Sequence, residues 1–272
     1  MVIFLFIGRY ALIYASSTYR SIFPKAPPPP TVSFGLMPKI PFPEVKDLPT
    51  FNFKVETSKG NALPAVQTQA NVYVMKKITK NLFSLETTKK KAGSLGYSTN
   101  PEEITATVYK FRHPSAPAFL QIDIIYNNFS ISYNLANDPQ PLDKQPPTPE
   151  VASSQVQNFI SQASLLPLDL KGQIKSDFLK VEGQSLNPAL SLSDANLTRV
   201  SLVRSDLEKI PSVTQNPKIS NVWFIVSGDP QRERQIISGE FHYFPIDDKQ
   251  LSTYPIKTVQ QALTDLQNGK GY

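Results

Sequence analysis

Residues 118–133 read AFLQIDIIYNNFSISY, two apolar-rich runs on either side of the pair Asn127-Asn128. Strand side chains alternate between faces, so Ile122, Ile124 and Tyr126 share one face while Gln121 and Asp123 take the other. Asparagine tolerates positive φ better than any residue but glycine. The pair therefore predicts a two-residue hairpin turn between strands Ala118–Tyr126 and Phe129–Tyr133. One face of such a hairpin packs on a helix and the other meets water.

Upstream, TATVYKF (Thr105–Phe111) alternates as a third strand. A helix precedes it, starting at Ser84, whose hydroxyl can cap free amides, and ending at Gly96. FNFKV (Phe51–Val55) and ANVYVM (Ala70–Met75) read as a pair of strands around a turning tract at 58–64. Residues 31–50 mix apolar residues with prolines, which cannot donate to a ladder, so this stretch is extended. Its Phe34, Leu36, Ile40 and Phe42 are too apolar for a free tether and predict a segment lying against the first module.

Downstream, residues 134–148 are polar and proline-rich and form the best internal boundary. Thr148-Pro149-Glu150 then opens a helix in the order cap, proline, acid. Ala152, Val156, Phe159, Ile160 and Ala163 give it an apolar stripe. Strands follow at Phe178–Val181, Leu197–Val203, Ile219–Ser227 and Gln235–Phe244, with Trp223, the only tryptophan, read as core. Thr258 and Gln261 fit a capping box for a last helix, Val259, Ala262, Leu263 and Leu266 its buried stripe, and Gly269 its stop. The chain ends directly after that helix, which reads, like its beginning, as a cut within a longer product.

The fold class is thus α+β: two tandem modules of antiparallel sheet packed against helices, at residues 51–138 and 149–272, joined by a linker at 139–148. Ahead of them stand an apolar segment at 1–23 and a proline-rich extended linker at 24–50. VIFLFIGRYALIYA (Val2–Ala15) continues to Phe23, a length that spans a bilayer only by including Arg9 and Arg20. A transmembrane anchor, a cleaved signal peptide and an interfacial helix all remain open, the anchor being favoured. With an earlier basic flank missing, the expected topology is a single pass through the cell membrane, the body lying outside the cytoplasm.

Composition narrows the chemistry. The chain has no cysteine among its 272 residues, which excludes disulfides and thiolate metal sites. Its net charge of +6 raises the question of an acidic partner. The densest basic feature is Lys76, Lys77, Lys80, Lys89, Lys90 and Lys91. The plain reading is a solvated helix face. The functional reading is contact with an anionic surface, lipid or wall polymer; a nucleic-acid partner would want interleaved stacking aromatics and is not expected. His113 and His242 lie far apart and outside any metal-ligand spacing, so both read as structural. Glu102-Glu103 predicts the start of a strand or a short turn, and Asp247-Asp248 a turn. No catalytic, cofactor-binding or metal residue is assigned, and no cofactor is expected.

The hairpin AFLQIDIIYNNFSISY, led by ITATVYKF and a helix, resembles the helix-plus-hairpin of PepSY-type domains. TYPIKTVQQALTDLQNGKGY (Thr253–Tyr272) resembles a segment of YycH- and YycI-like membrane-anchored extracytoplasmic bacterial proteins. The resemblance implies a non-enzymatic partner of an envelope sensor or wall-building system and supplies no catalytic residues. The functional expectation is a non-enzymatic, membrane-anchored extracytoplasmic binding or regulatory protein that contacts another envelope protein. The alternative is an envelope enzyme or cell-wall polymer-binding protein without a recognisable motif. The oligomeric state is left open.

Overall fold

The computed structural model describes residues 28–38, 53–57, 60, 62–64, 67–171, 173–208, 210–214 and 220–269. The apolar segment at 1–23, and with it the anchor, lies outside the described residues, as do Ile40, Phe42 and Phe51. The described residues fall into two compact units, one of residues 75–247 and one built from the described parts of 28–38, 53–74 and 248–269.

The larger unit is α+β. Its helices are α1 (Ser84–Ser94) and α2 (Pro149–Gln162), and its strands are β2 (Glu102–Glu103), β3 (Val108–Arg112), β4 (Ala118–Asp123), β5 (Phe129–Tyr133), β6 (Ile174–Glu182), β7 (Ser185–Pro188), β8 (Leu197–Leu202), β9 (Val222–Val226) and β10 (Ile236–Phe241). They form one sheet in the order β2-β3-β4-β5-β10-β9-β8-β6-β7. The expectation of a separate sheet in each module is corrected by one pairing. β5 and β10 run antiparallel, with Phe129 opposite Phe241 and Ile131 opposite Gly239. Each meander would otherwise leave its last strand unpaired, and unpaired backbone amides are costly once flanked by apolar side chains.

Register explains the core. Ile122 faces Phe129, Phe241 faces Val222, and Phe224 faces Val200, so these side chains share one sheet face. Both helices lie on that face. Thr88, Ala92 and Leu95 of the α1 run are buried, and Ala152, Val156 and Ile160 of α2 are fully so. These spacings of three and four are one side of a 3.6-residue helix. Phe159 of α2 meets the Phe224 ring edge-on at 6.0 Å, and Phe129 stacks on Phe241 at 5.0 Å.

Several local expectations change. The β4–β5 connection spans five residues, because Asp123 Oδ1 accepts the amides of Ile125 and Tyr126 and ends the strand early. Asn127 does take positive φ, +58°. Ser84 does not cap α1: its hydroxyl accepts from the Asn81 amide, and Phe83 occupies the cap position. Gly96, at φ +95°, ends the helix as expected. The linker at 139–148 is packed, with Pro141 and Pro146 buried and the Pro147 carbonyl taking the Thr198 hydroxyl at 2.8 Å. Trp223 is half-buried on the face opposite the helices, opposite Glu240 and Ser201, so it packs against the core without belonging to its buried set.

In the smaller unit, β1 (Gln69–Met75) pairs with β11 (Ile246–Pro255). The expected partner of β1, Phe51–Val55, contributes no strand among its described residues, and Asp247-Asp248 lies inside β11 rather than in a turn. Residues 31–35 are strapped to β11. The Val32 amide reaches the Thr253 carbonyl at 3.0 Å, Ser33 donates to Ser252 Oγ, and Phe34 donates to the Tyr254 hydroxyl. Helix α3 (Val259–Gln267) carries the expected capping box. Its stripe is not buried: Val259, Leu263 and Leu266 are half-exposed and Ala262 is exposed.

Candidate functional site

The six lysines singled out above do not make one patch. Lys76, Lys77 and Lys80 are exposed in the segment between β1 and α1, where the Lys80 ammonium donates to the Ala106 carbonyl at 2.7 Å. Lys89, Lys90 and Lys91 are consecutive on a helix that turns about 100° per residue, so they diverge. Lys89 pairs with Glu86 at 2.7 Å, Lys90 points to water, and desolvation holds the Lys91 ammonium below the usual lysine range.

A recess of about 140 Å³ lies where the end of α1, the β3–β4 turn and the turn before β10 meet; Gly96, Tyr97, His113, Phe159, Arg232 and Glu233 line it. His113 enters with a fixed tautomer. Its Nδ1 accepts the amides of Ser115 at 3.3 Å and Ala116 at 3.1 Å, so the ring proton sits on Nε2. Nε2 faces Gly96, 3.6 Å from where a Cβ there would stand, and the Tyr97 ring meets the imidazole edge-on at 5.5 Å. Burial pushes the Tyr97 hydroxyl up and the imidazole down, Glu233 opposing the latter. Arg232 is held by the Gln162 side-chain oxygen. The recess therefore offers a neutral N–H donor, a guanidinium and a carboxylate, a set suited to a small polar group. Composition could not flag it, because the residues converge from four separate segments.

Because the folded pKa of His113 lies below the ordinary value of about 6.5, the unfolded chain takes up a proton first as pH falls. The stability held by the neutral ring is present above about pH 6.5 and is lost as pH drops through the folded value. Protonation would also turn Nδ1, now an acceptor, into a donor aimed at two donors. Urea unfolding at pH 7 and pH 5 should show a smaller loss for His113→Asn than for the parent; equal losses would refute this account.

Two side-chain clusters escaped the sequence reading. Asp138 Oδ2 accepts from the Tyr133 hydroxyl at 2.6 Å and from Arg234 Nε at 2.8 Å. These bonds hold the Asp138 carboxyl below the usual range, while burial and the carboxylate push Tyr133 up to about 12. Asp169 likewise takes the Tyr243 hydroxyl at 2.8 Å and Arg204 Nε at 2.6 Å, with Arg204 lying 4.7 Å over the Tyr243 ring. The clusters sit at opposite ends of the β5–β10 pair. Every carboxylate is matched by donors, so they clamp loops to the sheet.

The remaining surface of interest is the helix-free face of the sheet. Ser130, Ser132 and Ser238 make its centre flat, flanked by the half-buried rings of Phe119 and Trp223. Lys110 lies 4.1 Å over the Phe119 ring, and Arg199 pairs with Asp177 at 2.8 Å on the neighbouring strands. Near this face's border, His242 is paired with Glu240 at 2.7 Å.

Among the described residues no group of three His, Asp or Glu side chains could hold a metal ion, and no helix is long and apolar enough to cross a membrane. No protein-family model, curated protein or solved structure matches the chain.

Proposed function

We propose that the chain is a non-enzymatic binding protein of the cell envelope, held at a membrane by segment 1–23, that docks on a partner protein through the helix-free face of its nine-stranded sheet. Support comes from Trp223. The one tryptophan sits half-buried on this face, opposite Glu240 and Ser201 and diagonal to Arg199, with Phe119 three strands away. Partly buried aromatic and arginine side chains amid small polar ones are the composition of interface hot spots. The sheet edges offer less. β2 has two residues and β7 four, the latter ending in Pro188, so neither templates an added strand well.

The test is photo-cross-linking in source cells from a benzoylphenylalanine placed at Ser132. A discrete adduct with an envelope protein is expected, and Trp223→Ala should weaken it by tenfold or more, the scale of a hot-spot truncation of about 2 kcal/mol. Adducts with cytosolic proteins only, or adducts indifferent to Trp223→Ala, would overturn the proposal. The alternative of an envelope enzyme or wall-polymer binder has its own supporting observation in the His113 recess, whose donors suit a carboxylate or hydroxyl group.

A further inference from the structure

Leu82 and Phe83, side by side at the entrance to α1, are 95% and 74% exposed. Single exposed apolar residues need no explanation, but an adjacent aliphatic and aromatic pair at the tip of a loop is a cost unless something covers it. Met75 and Ile78, in the same segment, are exposed too. Positive charge outweighs negative around them, the nearby acids being Glu86 and Glu103, the latter accepting from the Tyr109 hydroxyl at 3.4 Å. Lys76, Lys77 and Lys80 precede the pair, and Lys90, two turns along α1 from Phe83, shares its side of the helix. The acid of the first turn, Glu86, is already neutralised by Lys89 at 2.7 Å. Beneath the tip, Lys80, Asn81, Leu82, Leu85 and Tyr109 line an open groove of about 450 Å³.

We infer that this tip is a membrane-surface wedge: Leu82 and Phe83 enter the interfacial layer of an anionic phospholipid bilayer while Lys76, Lys77, Lys80 and Lys90 bind its headgroups. The combination selects the occupant. Lysine is depleted from protein–protein interfaces, where its stem and ammonium are costly to immobilise. At a bilayer the stem lies along apolar chains and the ammonium reaches the phosphates. A hydrophilic anionic polymer would use the lysines and leave the apolar pair in water. The inference stands apart from the docking face, which lies on the sheet and uses none of these residues.

The cysteine-free sequence makes the test direct. A single Leu82→Cys, labelled with an environment-sensitive nitrobenzoxadiazole dye, reports the tip of the full chain in vesicles; Leu190→Cys, at a side chain 98% exposed and remote in sequence from any lysine run, serves as comparison. In vesicles containing phosphatidylglycerol, the label at 82 should shift to the blue and be quenched by nitroxide lipids, while the label at 190 should not. Phe83→Ser in the labelled chain should reduce insertion about tenfold. Lys76→Glu with Lys77→Glu should reduce it further, roughly fivefold for each lysine lost. Equal signals at 82 and 190, equal insertion into pure phosphatidylcholine, or insertion indifferent to Phe83→Ser would each overturn the inference.

Discussion

Gly228→Ala is expected to destabilise the larger unit by about 3 kcal/mol or more. A Cβ at position 228 would stand 1.9 Å from the Gln145 carbonyl oxygen and 2.8 Å from its carbon. The obstacle is backbone, so no rotamer change relieves it. Nor can either wall retreat cheaply. Gln145 belongs to the stretch held by buried Pro141 and Pro146 and by the Thr198–Pro147 bond. On the other side, buried Ser227 donates to the Arg234 carbonyl at 2.7 Å and accepts the Asp229 amide. Urea unfolding should show the midpoint falling sharply; a midpoint within error of the parent would show that the 139–148 stretch is not packed as described.

Phe224→Ala should cost about 3–5 kcal/mol, the range for removing a large ring from a core that cannot collapse around the hole. Phe224 is fully buried, with Phe129 and Phe159 each 6.0 Å away ring to ring. Its third neighbour gives the sharper prediction. A Cβ on Gly239 would lie 2.3 Å from Phe224 Cδ1, so Gly239→Ala alone should cost about 1–3 kcal/mol through overpacking. In the Phe224→Ala background that methyl enters the vacated space. The double variant should then be at least about 1 kcal/mol more stable than the sum of the singles predicts. Strict additivity across the four proteins would sink the assigned register.

Local signals are legible where one residue's chemistry decides. The capping pair Thr258 and Gln261, the stop at Gly96, positive φ at Asn127 and the α2 stripe Ala152-Val156-Ile160 all sit where the chain alone predicts them. The strand pattern around Leu120, Ile122, Phe129 and Ile131 likewise marks its buried face. What failed was long-range. Nothing near Phe129 says that Phe241 will lie beside it, since pairing depends on which edge remains open after each meander forms. Trp223 looked like core because its strand is apolar throughout, and in β9 both faces carry apolar side chains. Residues 139–148 looked like a tether because proline and polar residues mark tethers, yet proline also packs well where no amide need be paired. The His113 recess and the two Tyr–Asp–Arg clusters draw on residues scattered through the chain, so no spacing announces them.

The meeting of β5 with β10 also sets a timetable. A ribosome adding roughly 5–20 residues each second finishes α1 and the β2–β5 meander long before Phe241 emerges. For several seconds β5, with Phe129, Ile131 and Tyr133 along one side, is an uncovered border of a half-built sheet. That interval, rather than the finished protein, is where the nascent chain is most exposed to aberrant pairing with its neighbours, and where a holding chaperone would have most to do.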